Sequence, residues 1–477
     1  MRNPALRKKR LLLFVTLAVV LAVNLAAVLL PYRAAHPDVS GNGVYTLTNT
    51  SRNYVKALDR DVQITYYAAD PDPDLRSFLD LYKASHVTVK VSEPPTADED
   101  QTIRIACGED ARTVGVSDLF YYSSTTYSPE YGYLSMTQYA RITAEISAMS
   151  SSDEAYQAFT YYFGPDVMQA HFCGEEVITS TLRNLVGGTL RTVWVLTGEV
   201  GQAPDRYVML RLKLHGFEAR GVSETNLSSL PDGSLLWLTP QKDLDADGAA
   251  ALEDFLSRGG RLFLTTLYSQ MQLPKLMEVL AAYGLSAETE KVNLVGDTVS
   301  SGTSSTVSAT FSPKRSDHAI NETVGSGMMI SYAHEIRLSA VEGVENASLL
   351  KTSTSGQSVE QSADGEGEQT ETAGTFTVAA TAVRSSDSSR VAWLGMLPTS
   401  NLDYYADDAE STYTAAILSW LAGADLQFPI GEPHVLPSAL LNVSVTVFVI
   451  WIIIFAVLLP LSLLAVALVR RYVRRKG

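Results

Sequence analysis

The sequence predicts an α/β protein: a flavodoxin-like, mostly parallel sheet domain, a smaller N-terminal α/β domain before it, and one transmembrane helix at each end. Three observations lead there. The run Leu11 to Leu30, LLLFVTLAVVLAVNLAAVLL, is twenty residues without a charge, and a second apolar run extends from about Val443 to Val469. Between them, short apolar segments such as TVWVL, LLWL and RLFL alternate with helical patterns, as in parallel strands covered on both faces. The chain between the runs is long enough for two or three cores.

At 1.5 Å per residue, the first run matches a hydrocarbon core of ~30 Å. The second contains Pro460, so a tilt or kink is expected. Arg7, Lys8, Lys9 and Arg10 precede the first run, and Arg470, Arg471, Arg474, Arg475 and Lys476 follow the second. Basic flanks stay cytoplasmic, so both termini are expected inside and the central domain outside. A cleaved signal peptide is the competing reading. The apolar stretch exceeds the usual core of about 7–15 residues, and PYRAAHP offers no small-x-small cleavage site, which favours an uncleaved anchor.

Ten of the 37 Lys and Arg lie in the two tails, leaving 27 against all 52 Asp and Glu between them, a charge of about −25. Such a surface repels phosphate backbones and argues against nucleic acid as a partner.

The expected organisation follows in chain order. Residues 1–10 form a basic tail, 11–30 a transmembrane helix, and 31–186 the N-terminal extracellular α/β domain. Here VYTLTNTSRNYVKALDRDVQITYYA reads as strand, helix and strand, with Thr48 or Thr50 as cap. LRSFLDLYKAS has helical spacing through Leu75, Phe78, Leu79 and Tyr82, and HVTVKVSE alternates like a strand. TIRIACG and TVGVSDLFYYS read as a hairpin, and GEEVITSTLRNLVGG as a closing amphipathic helix. Residues 187–438 form the flavodoxin-like domain. Strands are expected at LRTVWVLTG, GFEARGV, SLLWLTP and RLFLTT, a helix stopped by Gly216 after the first, and one capped by Asp245 and ended by Gly259 and Gly260. Within this domain, 351–374 is acidic and poor in apolar residues, and is expected as a disordered loop. TFTVAATAV and SRVAWLGML return to strand patterns, and STYTAAILSWLAG reads as a helix. Residues 440–469 form the second transmembrane helix and 470–477 the last basic tail.

Little in the sequence carries chemistry. His171, Cys173, Glu175 and Glu176 cluster in HFCGEE, but a metal would need further ligands, and a loop entering the acidic first turn of a helix explains the residues. Gly198-Glu199-Val200-Gly201 sits where a phosphate cradle would, yet lacks both the GxGxxG spacing and the Lys and Ser/Thr of a P-loop. No GxSxG elbow occurs, and Pro240 and Gln241 fill the turn after SLLWLTP, where an amidotransferase-like fold would place its nucleophile. Trp194, Trp237 and Trp393 read as core, and Trp451 lies in the second apolar run. Cys107 and Cys173 fit either a bridge or two buried thiols. No catalytic, cofactor or metal residue is expected.

In order and spacing these segments resemble the Gldg-type family, auxiliary components of gliding-motility-associated and related ABC transport systems. VYTLTNTSRNYVKALDRDVQITYYA is similar to that family's opening. GEEVITSTLRNL followed by RTVWVLTGEVGQ is similar to its helix and its strand ending in a Gly-His-Gly-Glu turn, of which Gly198 and Glu199 remain and the histidine does not. SLLWLTPQKDLDADGAAALEDFLSRGGRLFLTT, SDHAIN, SRVAWLGM and NLDYYADDAESTYTAAILSWLAG match in order, so the resemblance covers Val44 to Arg475. It implies a two-helix bacterial membrane subunit working with ABC permease and ATPase subunits. It carries no catalytic residues and no cofactor. The expected function is thus a non-enzymatic accessory subunit at the cell membrane, its extracellular domain binding or guiding cargo or partners beside the lipid bilayer. The rivals are a stand-alone surface ligand-binding or sensor module, and a hydrolase or transferase with an unrecognised site.

Overall fold

Apolar alternation, helix caps and a few obligatory glycines account for most of the architecture. The computed structural model describes residues 46–435 except 125–126, 129–131, 134–144, 147–148, 150, 164–167, 189, 205, 270, 302–303, 309, 323–327, 363–369, 398–408 and 432–433. The chain divides into two compact units, Met1–Gly174 with Glu432–Gly477, and Glu175–Gly431.

In the first unit, helix α1 (Asn49–Lys56) begins where Thr48 Oγ1 accepts from the Ser51 amide at 3.3 Å. Strand β1 (Val62–Tyr67) buries Val62, Ile64 and Tyr66 at alternate positions. Helix α2 (Pro73–Leu79) has Pro at its first position, and Asp72 accepts from the amides of Asp74 and Leu75 at 2.8 and 3.4 Å. Its Leu75, Phe78 and Leu79 are buried. The chain returns through β2 (Val87–Ser92), which pairs parallel with β1, then β3 (Thr102–Cys107) and β4 (Asp110–Gly115), giving the antiparallel order β2-β1-β3-β4 beyond the first pair. Gly108, at φ +64°, opens the two-residue turn between β3 and β4. Strand β5 (Phe120–Ser124) pairs with β6 (Met168–Phe172), and His434–Val435 adds to the far edge of β6. Phe172 packs edge-on against Phe78, centroids 4.9 Å apart. Helix α3 (Ser152–Phe163) lies between β5 and β6 along the chain.

The second unit opens with α4 (Gly174–Gly187) and is built on an eight-stranded sheet. Its strands are β7 (Arg191–Leu196), β8 (Phe217–Val222), β9 (Leu235–Leu238), β10 (Arg261–Thr265), then, later in the chain, β13 (Val344–Lys351), β16 (Thr377–Arg384) and β17 (Arg390–Leu394). They lie in the order β8-β7-β9-β10-β17-β16-β13, with the pair Lys314–Arg315 at the far edge. The first five are parallel and the rest antiparallel. Because side chains alternate, β9 and β10 send Trp237 and Phe263 to one face and Leu236, Leu238, Leu262 and Leu264 to the other. Helices α5 (Arg206–Leu214) and α8 (Ala409–Ala422) cover the first face; α6 (Ala246–Ser257) and α7 (Pro274–Ala281) cover the second.

A second sheet has the antiparallel order β12-β11-β14-β15, formed by β11 (Lys291–Ser301), β12 (Ser304–Ser308), β14 (Gly356–Ser362) and β15 (Thr370–Gly374). Within the segment 351–374, expected as a disordered loop, residues 356–362 and 370–374 are strands, and seven cross-strand pairs join β11 to β14, whereas 363–369 lie outside the described residues. The expected boundary at 186/187 also moves. Helix α4 groups with the second unit because Glu176 pairs with Arg211, Asn184 donates to the Lys213 carbonyl at 2.8 Å, and Arg183 to that of Leu214 at 2.8 Å.

The membrane expectation is corrected as well. Among the described residues, no helix is long and apolar enough to cross a membrane, against the expected transmembrane helix at each end. The longest described helices, α4 and α8, have 14 residues, or ~21 Å, short of a hydrocarbon core of ~30 Å. The runs 11–30 and 440–469 and the tails 1–10 and 470–477 lie outside the described residues. The fold class is therefore mixed α/β with several sheets, and the two-pass localisation with an extracellular centre is not retained.

Candidate functional site

A parallel sheet whose strand order reverses direction leaves a crevice at the carboxyl ends of its strands, the usual ligand site of such folds. Here the reversal falls between β7 and β9. The residues leaving those strands are Thr197 to Gln202 and Thr239 to Asp243.

These two loops close on each other. Gly201 and Pro240 form an isolated bridge, the Gln202 amide donates to the Thr239 carbonyl at 2.9 Å, and the Gln241 amide donates to the Val200 carbonyl at 2.7 Å. A Cβ on Gly201 would stand 2.2 Å from the Leu196 carbonyl oxygen, so this closure requires glycine. Gly198 turns the chain at φ +113°. Two amides of these loops, those of Gln202 and Gln241, are thus spent on the neighbouring loop.

The charges around the closed loops are mostly negative. Glu199 pairs with Lys242 at 2.5 Å, and both side chains are exposed. The hydrogen bond from Lys242 holds the Glu199 carboxyl below its ordinary value, and the same bond raises the lysine. Glu224 lies beyond β8. Burial raises its pKa, Asp245 adds to the effect, and its Oε1 is buried without a hydrogen-bond partner. Gly248 permits this arrangement, since a Cβ there would meet Glu224 Oε1 at 1.9 Å. Asp245 caps α6 through the Gly248 amide at 2.7 Å, as its sequence position suggests. Asp243 caps α7 across 32 residues, accepting from the Lys275 amide at 2.8 Å and that of Leu276 at 3.1 Å. Its helix lies too far along the chain for a local capping pattern to show it.

Beneath this edge two buried polar chains cross the sheet. Trp237 Nε1 donates to Thr265 Oγ1 at 3.0 Å, and the Thr265 and Thr239 hydroxyls share a bond at 2.6 Å. Trp393 Nε1 donates to Thr266 Oγ1 at 2.8 Å, and Thr266 Oγ1 meets His334 Nε2 at 2.6 Å. His334 Nδ1–H donates to the Glu335 carbonyl at 3.0 Å, which leaves Nε2 as acceptor. Burial pushes the His334 pKa down to about 4, so the ring is neutral. Thr266 and His334 are within the reach expected of a nucleophile and its base. Both are fully enclosed, at 0% and 1% exposure, so no substrate reaches the hydroxyl. The pair serves the core.

The HFCGEE residues take separate roles. Cys173 is buried and directs its thiol to the Asp118 carbonyl at 3.6 Å. Glu175 and Glu176 stand in the first turn of α4, with Glu176 bound to Arg211 at 2.7 Å. Among the described residues, no group of three or more His, Cys, Asp or Glu is placed to hold a metal ion. Cys107 and Cys173 are both buried, and no disulfide joins them.

No family model matches the chain, and no curated protein matches it. Among solved structures, the N-terminal domain of mmIFT52 aligns over 50% of this chain and 100% of its own, at 12% identity and a TM-score of 0.36. Cytoplasmic protein STM1381 from Salmonella typhimurium LT2 aligns over 49% of this chain and 99% of its own, at 7% identity and a TM-score of 0.30. A mitochondrial aspartate aminotransferase from Trypanosoma brucei covers 23% of this chain and 34% of its own, at 14% identity and a TM-score of 0.16. At these scores none of the three bears on fold or function.

Proposed function

We propose that this chain is a non-enzymatic accessory component of an ABC-2-like transport system, binding or guiding cargo or partners while separate permease and ATPase chains supply the path and the energy. The observation that carries the reading is the self-closed edge between β7 and β9. The two loops at this edge bond each other through the Gln202 and Gln241 amides, and Glu199, Glu224 and Asp245 set negative charge beside them. The sequence contains no Walker motif, so nucleotide hydrolysis belongs to a partner. The resemblance of the segments from Val44 to Arg475 to the Gldg-type family supplies the identity of that partner class.

Purification of the tagged chain at native expression under mild detergent tests the proposal. A polytopic permease and its ATPase should co-purify in fixed proportion. Recovery of the chain alone would replace the transport reading with that of a stand-alone ligand-binding or sensor module. Nucleotide hydrolysis by the purified chain, abolished by Glu199→Ala, would overturn the non-enzymatic part.

A further inference from the structure

The first unit carries a concavity that the transport reading does not use. It holds about 210 Å³ and lies between α1 and the turn that follows α2. Leu47, Val55 and Leu81 supply apolar walls; the first two are buried and Leu81 is half-buried. Arg52, Lys56 and Lys83 also line it.

Three cations in one small concavity run against a chain of net charge −15. Arg52 and Lys56 stand four residues apart on α1, so their side chains share a face and repel. Among the described residues neither has an ion-pair partner, while Lys83 is bound to Asp80 at 2.8 Å. Lys56 lies in the last turn of its helix, where a cation is favourable, but Arg52 lacks that reason. Two unmatched cations beside apolar walls are complementary to an anionic group carried next to an apolar one.

We propose that this concavity is a docking site for an acidic peptide segment of a partner protein, one apolar side chain filling it and flanking carboxylates meeting Arg52 and Lys56. The size selects a single side chain, since a cavity of roughly 150 Å³ already holds one benzene ring. An anionic bilayer is disfavoured, because the net negative charge of the chain repels it beyond the local patch. The site stands on the geometry of the first unit and is independent of the transport reading.

Fluorescence anisotropy with the full chain tests it. The probes are labelled Asp-Asp-Phe-Asp-Asp and Asp-Asp-Leu-Asp-Asp peptides, with Lys-flanked and Gly-centred versions as controls. At least one acidic probe should bind, both controls should not, and added salt should weaken binding. Arg52→Glu with Lys56→Glu should reduce affinity by about tenfold or more, the equivalent of ~1.4 kcal/mol. Both side chains are exposed, so the fold should survive, and an unchanged melting temperature checks it. Ala84→Leu, which fills the concavity from its lining, should weaken the Phe probe without altering charge. Failure of both acidic probes overturns the proposal, as does equal binding of the Lys-flanked control or indifference to the double reversal. Capture by phosphatidylglycerol vesicles without peptide binding overturns it in favour of a lipid surface.

Discussion

Two histidines of the second unit are held neutral by burial. His215 donates from Nδ1 to the Gln427 carbonyl at 2.7 Å, and its Nε2 is buried without a partner. Burial, with Arg211 beside it, pushes its pKa down to about 3, and burial pushes that of His334 down to about 4. In the unfolded chain both titrate near ~6.5, so between about 6.5 and those values the unfolded state binds more protons than the folded one. Stability is therefore complete above pH ~6.5 and is lost as the pH falls toward 4. Urea unfolding across that range should show the decline, and His334→Gln should make the acid limb shallower by up to ~1.4 kcal/mol per pH unit. An unchanged slope would mean that His334 is protonated in the folded protein. A different balance governs Arg211, whose guanidinium meets Glu176 with 9% and 4% of the two side chains exposed. Arg211→Met strands a buried carboxylate and should cost ~3–5 kcal/mol, whereas the double change with Glu176→Leu should restore most of the loss. If the single and double variants unfold alike, the pair is not coupled.

Elements with strong apolar periodicity were readable from the sequence. RTVWVL, LLWL and RLFLT are strands, and Asp245 caps its helix, because the residues that define them are adjacent. The hairpin β14–β15 was not readable, for a physical reason. Its buried positions include Gly356 and Ser358, so no large apolar side chain marks the inward face. What fixes it lies far along the chain: Asn293 Nδ2 donates to Ser358 Oγ at 2.8 Å, and Asp297 accepts from the Ser353 amide at 2.9 Å. The candidate site was half-legible in the same sense. The missing phosphate motifs could be read locally, but the Gly201–Pro240 closure and the Thr266–His334 contact join residues about 40 and 68 apart. Replacing 352–374 with a short Gly/Ser linker therefore removes one neighbour of β11 and exposes Asn293. Loop closure alone would change stability by ~1 kcal/mol or less. The loss should exceed that clearly, measured by urea unfolding of the full chain. A change within it would show that the hairpin adds nothing to the fold.

At the scale of the molecule, the two units are interleaved in sequence: Glu175–Gly431 is bracketed by the two segments of the other unit. An inserted unit can be stable alone only if its ends meet and its core is its own. Both conditions hold. A Cβ on Gly431 would lie 2.8 Å from Glu175 Cγ and 2.9 Å from the Glu176 amide, so first and last residues touch. The Ile430 amide donates to Ser180 Oγ at 2.9 Å, and the Arg183 guanidinium reaches the Phe428 carbonyl, fastening the outgoing chain to α4. The sheet has helices on both faces from within the same unit, with Trp237 and Trp393 fully buried. Residues 175–431 expressed alone should therefore fold. Four of the five tryptophans lie in this stretch, so its fluorescence should stay blue-shifted and should shift in one cooperative urea transition. His334 and His215 travel with it, so the excised unit should also keep the acid decline argued for the full chain. A broad transition without near-ultraviolet dichroism would show that the core depends on residues outside 175–431, and that the break at Gly174 is not a folding boundary.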